Sequence, residues 1–130
     1  MRNMSFALTT AQVIGGTKTV TRRMGWKNLK PGELIQPVRK CMGLKPGEKI
    51  EKLRGPIRIV SVRREALSHV MLVTLYGEAE CEREGFPEMK PSEFVEMFCR
   101  SHKGCRPGSM VTRIEFTYED TSCPNTEGQP

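Results

Sequence analysis

The sequence predicts an α+β fold in which a small barrel of about five or six short strands is flanked by short helices. Two observations carry that expectation. Segments rich in β-branched residues, or alternating apolar with polar, recur along the chain at 17–23, 34–41, 57–63 and 110–119. Helical segments at 75–84 and 91–100 interrupt them without the regular strand–helix alternation that a βαβ fold needs. The 130 residues suit one domain, expected over 1–119, followed by a disordered tail at 120–130 that holds no large apolar residue.

The elements follow in order. Residues 9–14 read as a short helix, with Thr9 and Gln12 at capping-box spacing and Gly15-Gly16 to end it. Thr17 to Arg23 reads as extended chain. Leu29-Lys30-Pro31-Gly32-Glu33 returns as Leu44-Lys45-Pro46-Gly47-Glu48, and Pro then Gly fits the central pair of a type II turn. The strand between the two turns contains Pro37, which predicts an edge or a bulge. Residues 57–63 form the clearest early strand, and 65–73 fit no single element. The acidic helix at 75–84 stops at Gly85, and the helix at 91–100 gathers Phe94, Met97 and Phe98 on one face. In the closing strand Ile114, Phe116 and Tyr118 share one face, and Arg113, Glu115 and Thr117 the other.

Composition excludes several function classes. No apolar run approaches the roughly 20 residues of a membrane helix, and the N-terminus lacks the pattern of a secretory signal, so a cytoplasmic location with no membrane partner is expected. Five cysteines at irregular spacing predict reduced, mostly buried thiols rather than a disulfide framework. Of the 15 acids only Asp120 is Asp, which argues against EF-hand loops and two-metal nuclease sites. The charge is divided unevenly: residues 1–65 carry 15 Lys/Arg against 4 Glu (+11), and 66–130 carry 6 against 11 acids (−5). A basic half points to a polyanionic partner unless the two halves neutralise each other on folding.

Reactive groups concentrate in Gly16-Thr17-Lys18-Thr19-Val20-Thr21-Arg22-Arg23. A lysine in a low-dielectric cavity loses proton affinity and can serve as base to a neighbouring hydroxyl, while arginines meet phosphate. Composition alone favours a solvated basic strand with threonines chosen for β-propensity. Glu84 stands just before the glycine that ends its helix, where the helix dipole disfavours a carboxylate; it is either functional or paired with a surface cation.

With these elements in view, the chain resembles the ASCH domain family, most closely the small stand-alone ASCH proteins of bacteria and their phages. The resemblance runs over residues 5–119 and rests on five elements in order: Gly-x-Lys-Thr-x-Thr-x-Arg after a short helix, a Lys-Pro-Gly-Glu turn, Glu-Gly-Phe-Pro, a Phe-Val-x-Met-Phe-Cys helix and an Arg-Ile-Glu-Phe-x-Tyr strand. It implies a PUA-like β-barrel whose cleft accepts RNA or a nucleoside-like ligand. In one branch of the family a Lys, a Thr and a Glu hydrolyse the amide of N-acetylated cytidine. The matching residues are Lys18, Thr21 and Glu84: Thr21 would attack the carbonyl, Lys18 would take its proton, and Glu84 would orient the substrate or relay a proton.

Two features stand against a simple transfer. Residues three apart on an ideal strand face opposite sides, so Lys18 and Thr21 meet only across a bulge or if Lys18 lies in the loop after Gly16. The segment 40–56, with Arg54 and Lys40, Lys45, Lys49 and Lys52, is an insert relative to the smallest amidohydrolase-like members, and could reshape the cleft mouth or contact phosphates.

Arg22, Arg23 and Lys27 are the phosphate candidates, and Trp26 either stacks on a base or packs at the rim. Cys99, His102 and Cys105 form a C-x2-H-x2-C run, one ligand short of a structural zinc site; no metal or cofactor is expected, and the run reads as a helix end turning through Gly104 with Cys99 buried. The alternatives to an amidohydrolase are a ribonuclease acting on single-stranded RNA, with Lys18 and Arg22 stabilising the transition state, and a non-catalytic RNA-binding module.

Overall fold

The computed structural model describes residues 1–120. Five strands form one mixed sheet in the order β1-β3-β4-β5-β2: β1 is Arg2–Ser5, β2 Val20–Arg23, β3 Leu34–Val38, β4 Ile57–Ala66 and β5 Met110–Tyr118. β1 runs parallel to β3, and the other pairs are antiparallel. The α+β class holds, but the sheet is not closed into the expected barrel. β1 and β2 are its two edges, and the chain between them turns through a 3-10 turn at Ala7–Thr9 and α1, Thr10–Ile14. α2 spans Thr74–Arg83 and α3 spans Pro91–Ser101.

Several local expectations meet a physical reason. Both Lys-Pro-Gly-Glu turns form: Gly32 and Gly47 take φ of 89° and 83°, and Glu33 and Glu48 donate their N–H to the carbonyls of Lys30 and Lys45 at 3.1 and 2.9 Å. The capping box at α1 does not form, because Thr9 makes no side-chain cap bond. β3 is interior rather than an edge, yet β4 pairs only with its Leu34 and Ile35. Pro37 stands past the end of that ladder, so its missing N–H costs no bond to β4. The ambiguous 65–73 stretch divides into the end of β4 and a 3-10 turn at Leu67–Met71. Asp120, expected in the tail, is held: its carboxylate accepts from Arg54 at 2.6 Å and from the Gly55 N–H at 2.9 Å. Residues 121–130 of the expected tail lie outside the described residues.

β5 separates two apolar cores. Its Ile114, Phe116 and Tyr118 join Met4, Phe6, Val13, Ile35, Ile57 and Ile59 in one. Val111, from the opposite face, joins Leu67, Val70, Cys81, Phe94, Val95 and Phe98 beneath α2 and α3. Strand register then sets up an electrostatic problem. Arg22 on β2 stands directly across from Arg113 on β5, two like charges side by side on the helix-facing surface. Glu80 on α2 resolves it: Oε1 accepts 2.6 Å bonds from both Arg22 Nη2 and Arg113 Nε.

Candidate functional site

Lys18 precedes β2, which begins at Val20, and its backbone is fixed from two directions. The Tyr118 hydroxyl donates to the Lys18 carbonyl at 2.5 Å, and the next residue, Thr19, donates its N–H to the Arg83 carbonyl at 2.8 Å. With Lys18 in this loop, the opposite-face rule for strand residues does not apply. Lys18 and Thr21 line the same cavity, together with Glu84.

Glu84 caps α2, and Gly85 behind it takes φ of +100° to turn the chain away. The carboxylate that helix polarity disfavours is compensated by two buried cations. Its Oε1 accepts from Lys18 Nζ at 2.8 Å and its Oε2 from Arg22 Nη1 at 3.0 Å. The Glu84 main-chain carbonyl accepts a second bond from Lys18 Nζ at 2.7 Å. Lys18 therefore has one position left on nitrogen after serving Glu84, and that position is an N–H in the ammonium and a lone pair in the neutral amine. Burial lowers the proton affinity of Lys18; the Glu84 carboxylate partly restores it, and the net shift is downward.

Thr21 is buried in β2, and its Oγ1 accepts from Arg23 Nε at 3.1 Å. Arg23 lines the cavity with its guanidinium 4.7 Å from the centre of the Phe6 ring. The cavity measures about 330 Å3. Its remaining wall is largely aromatic and comes from Phe6 and from Phe86, Phe94 and Phe98 near and on α3, with Met97, Ser101 and His102 completing that side. His102 stacks on Phe98 with ring centroids 4.0 Å apart, and its Nδ1 lies 2.9 Å from the Phe98 carbonyl.

Arg22 does not face this cavity as an open phosphate ligand. Its side chain has no exposure and bonds Glu84, Glu80 and Glu65, the last at 2.9 Å. Although burial opposes it, those carboxylates raise the guanidinium's proton affinity further. Arg113, on the face of β5 opposite Ile114, Phe116 and Tyr118 as alternation predicts, bonds Glu80 at 2.6 and 3.0 Å. Burial works against ionisation of Glu80 too, yet Arg113, Arg22 and Arg83 bring its pKa down to about 2.

Lys27 is exposed and Trp26 half-buried, and neither lines the cavity. Trp26 packs against the first core, takes φ of 60° and carries the Arg2 guanidinium 4.9 Å above its ring, which is the rim-packing reading. The insert also stays off the cavity wall. Its Arg54 turns back to the body, donating to the Val13 and Ile14 carbonyls and to Asp120. Among the described residues, no group of three His, Cys, Asp or Glu side chains is placed to hold a metal.

The three residues singled out from the sequence, Lys18, Thr21 and Glu84, line one cavity, whereas its aromatic wall was not anticipated. The helical spacing of Phe94 and Phe98 marked a core face, and that face also borders the cavity.

Comparison with solved structures reproduces the arrangement of strands and helices over most of the chain. An ASCH domain from Lactobacillus crispatus JV V101 superposes over 90% of this chain and 78% of its own, with a TM-score of 0.59 and 15% identity. The chain has the fold of an ASCH domain. A second ASCH-fold match, a protein from Enterococcus faecalis V583 assigned to the family DUF984, superposes over 98% of this chain and 85% of its own, with a TM-score of 0.55 and 14% identity. No protein-family model and no curated protein matches the sequence.

Proposed function

We propose that the chain binds a modified nucleoside, free or within single-stranded RNA, and hydrolyses the amide of N-acetylated cytidine through Lys18, Thr21 and Glu84. The observation that carries this reading is the convergence of those three residues on one aromatic-walled cavity of about 330 Å3. That size and lining suit a planar base. Neutral Lys18, held to Glu84 by two bonds, takes the Thr21 proton as Oγ1 attacks the acetyl carbonyl carbon. The Arg23 guanidinium beside Oγ1 lies next to the oxyanion that forms. Collapse of the tetrahedral adduct breaks the C–N bond, Lys18 returns the proton to the leaving amine, and water then cleaves the acetyl-threonine ester.

The ribonuclease alternative is weaker, because the Arg22 guanidinium, although it borders the cavity, already bonds three carboxylates. A binding module that does no chemistry would use the same cavity.

The test is turnover of acetylated cytidine and of a mixed RNA by the parent chain and by Thr21→Ala, Lys18→Ala and Glu84→Gln. Deacetylation by the parent, reduced at least a hundredfold in Thr21→Ala, is expected. The lowered proton affinity of Lys18 requires kcat/KM to rise with pH and to level off below 10.5, its ordinary value. No turnover of either substrate, with RNA affinity that falls steeply with salt, would leave the binding module.

A further inference from the structure

Cys99 and Cys105 have no part in the proposed chemistry, yet they touch. The Cys99 thiol donates to the Cys105 sulfur across 3.8 Å, and both residues are half-buried. Cys99 lies in the last turn of α3, and the chain returns to it through Gly104, whose φ is +79°. No neighbouring atom lies within 4 Å of the Gly104 Cα substituent position, so this turn has room to tighten. Cys99 also borders a second groove of about 450 Å3 with Met71, Val95 and Pro107. Between the two cysteines lie Ser101 and His102, both lining the candidate active cavity. Cys41 and Cys81 are free thiols elsewhere in the fold.

We propose that Cys99 and Cys105 are a thiol–disulfide exchange site, oxidised reversibly by low-molecular-weight disulfides such as oxidised glutathione, and that the disulfide reshapes the Ser101–His102 wall of the cavity. The direction of the existing hydrogen bond assigns the roles. Burial, and then the bond it donates to Cys105, push the Cys99 thiol up, which casts Cys99 as the thiol that acts second. The Cys105 thiolate attacks one sulfur of the small disulfide, forming a mixed disulfide and expelling one thiolate. The Cys99 thiolate then attacks Cys105 Sγ, forming the Cys99–Cys105 bond and expelling the second thiolate. Two protein thiols are oxidised, one disulfide is reduced to two thiols, and the two cysteine protons pass to the leaving thiolates. The sulfurs need only close from 3.8 Å to about 2 Å, a shift within reach of a surface turn.

The exchange does not depend on the ligand; only its consequence for binding rests on the proposed function. The full chain is equilibrated with oxidised glutathione, alkylated and digested with trypsin, which cuts after Arg100 and Lys103 between the two cysteines. A linked peptide pair holding Cys99 and Cys105 is expected, and it should disappear on treatment with dithiothreitol. In Cys99→Ser the glutathione adduct should persist on Cys105. The chain has two histidines, His69 and His102, so ring NMR reads the wall without any ligand: the His102 signal should move on oxidation and the His69 signal should stay. Full alkylation of both cysteines in the parent chain, a persistent mixed disulfide there, or a bridge to Cys41 or Cys81 would overturn the exchange site. A bridged protein with an unmoved His102 would overturn its link to the cavity, and neither result bears on deacetylation.

Discussion

The layer of side chains beneath the cavity and the 40–56 insert draw on the same alphabet of Lys, Arg and Glu, and the fold uses them in opposite ways. Beneath the cavity, Lys18, Arg22 and Arg113 are matched against Glu65, Glu80 and Glu84 with almost no exposure to solvent. In the insert, the Lys40–Glu48 pair is loose at 3.4 Å and stays exposed. The difference lies in what each charge would face alone. A buried cation without its partner has no water to fall back on, whereas a surface one is solvated either way. The positive charge of the first half is thus partly cancelled by the second half: Arg22 meets Glu80 and Glu84 in the interior, and Arg58 meets Glu119 at the surface.

The sharpest way to break this contrast is Glu80→Gln. It leaves Arg22 and Arg113 facing each other across the strands with one negative charge removed, and urea denaturation should show a loss of about 3–5 kcal/mol. Acid should act in the same direction. Glu80 has its pKa brought down to about 2 in the folded chain, against an ordinary 4.5. Its stabilisation is complete above 4.5 and is lost as pH falls through that window towards 2. The melting temperature should drop steeply there in the parent chain, and less steeply in Glu80→Gln. A variant as stable as the parent at neutral pH would show that the buried layer adds little to stability.

Asp120→Asn is an intermediate case, because the pair with Arg54 is half-exposed but also receives the Gly55 N–H. A loss of about 1 kcal/mol is expected. The smallest effect on stability should come from changing Lys40, Lys45, Lys49 and Lys52 together to Gln, within about 0.5 kcal/mol per site. That same variant should flatten the salt dependence of RNA affinity, by roughly 0.7 in log–log slope for each single-strand phosphate that a lysine no longer neutralises. An unchanged slope would place the RNA path elsewhere.

Much of the site could be read from residue order. The loop after Gly16 and the glycine after Glu84 are local signals, and each positions one member of the Lys18–Thr21–Glu84 group. α3 was legible from its Pro91 start and its Phe94/Phe98 spacing. The fate of Arg22 and Arg113 was not, because alternation along a strand says which face a residue takes but not what covers that face. α2 covers it here, and brings Glu80, a residue that looked like one more acid on a solvated helix. Barrel closure was equally illegible, since it depends on whether β1 and β2 meet, and no short-range pattern encodes that. The contact of Cys99 with Cys105 lies across one turn, and the sequence reading of a helix end turning through Gly104 placed the two close without pairing them.

The hydroxyl of Tyr118 on the backbone carbonyl of Lys18 joins residues 100 positions apart. During synthesis, the first half of the chain therefore leaves the ribosome carrying +11 with Lys18 unanchored, next to a polyanionic surface of ribosomal RNA. Of the three carboxylates that hold Arg22, Glu80 and Glu84 arrive only with α2 and its C-cap, and the strand that fixes Lys18 comes last. Assembly of the cavity is thus timed to completion of β5, and a chain stalled before that strand is a basic, unclosed segment.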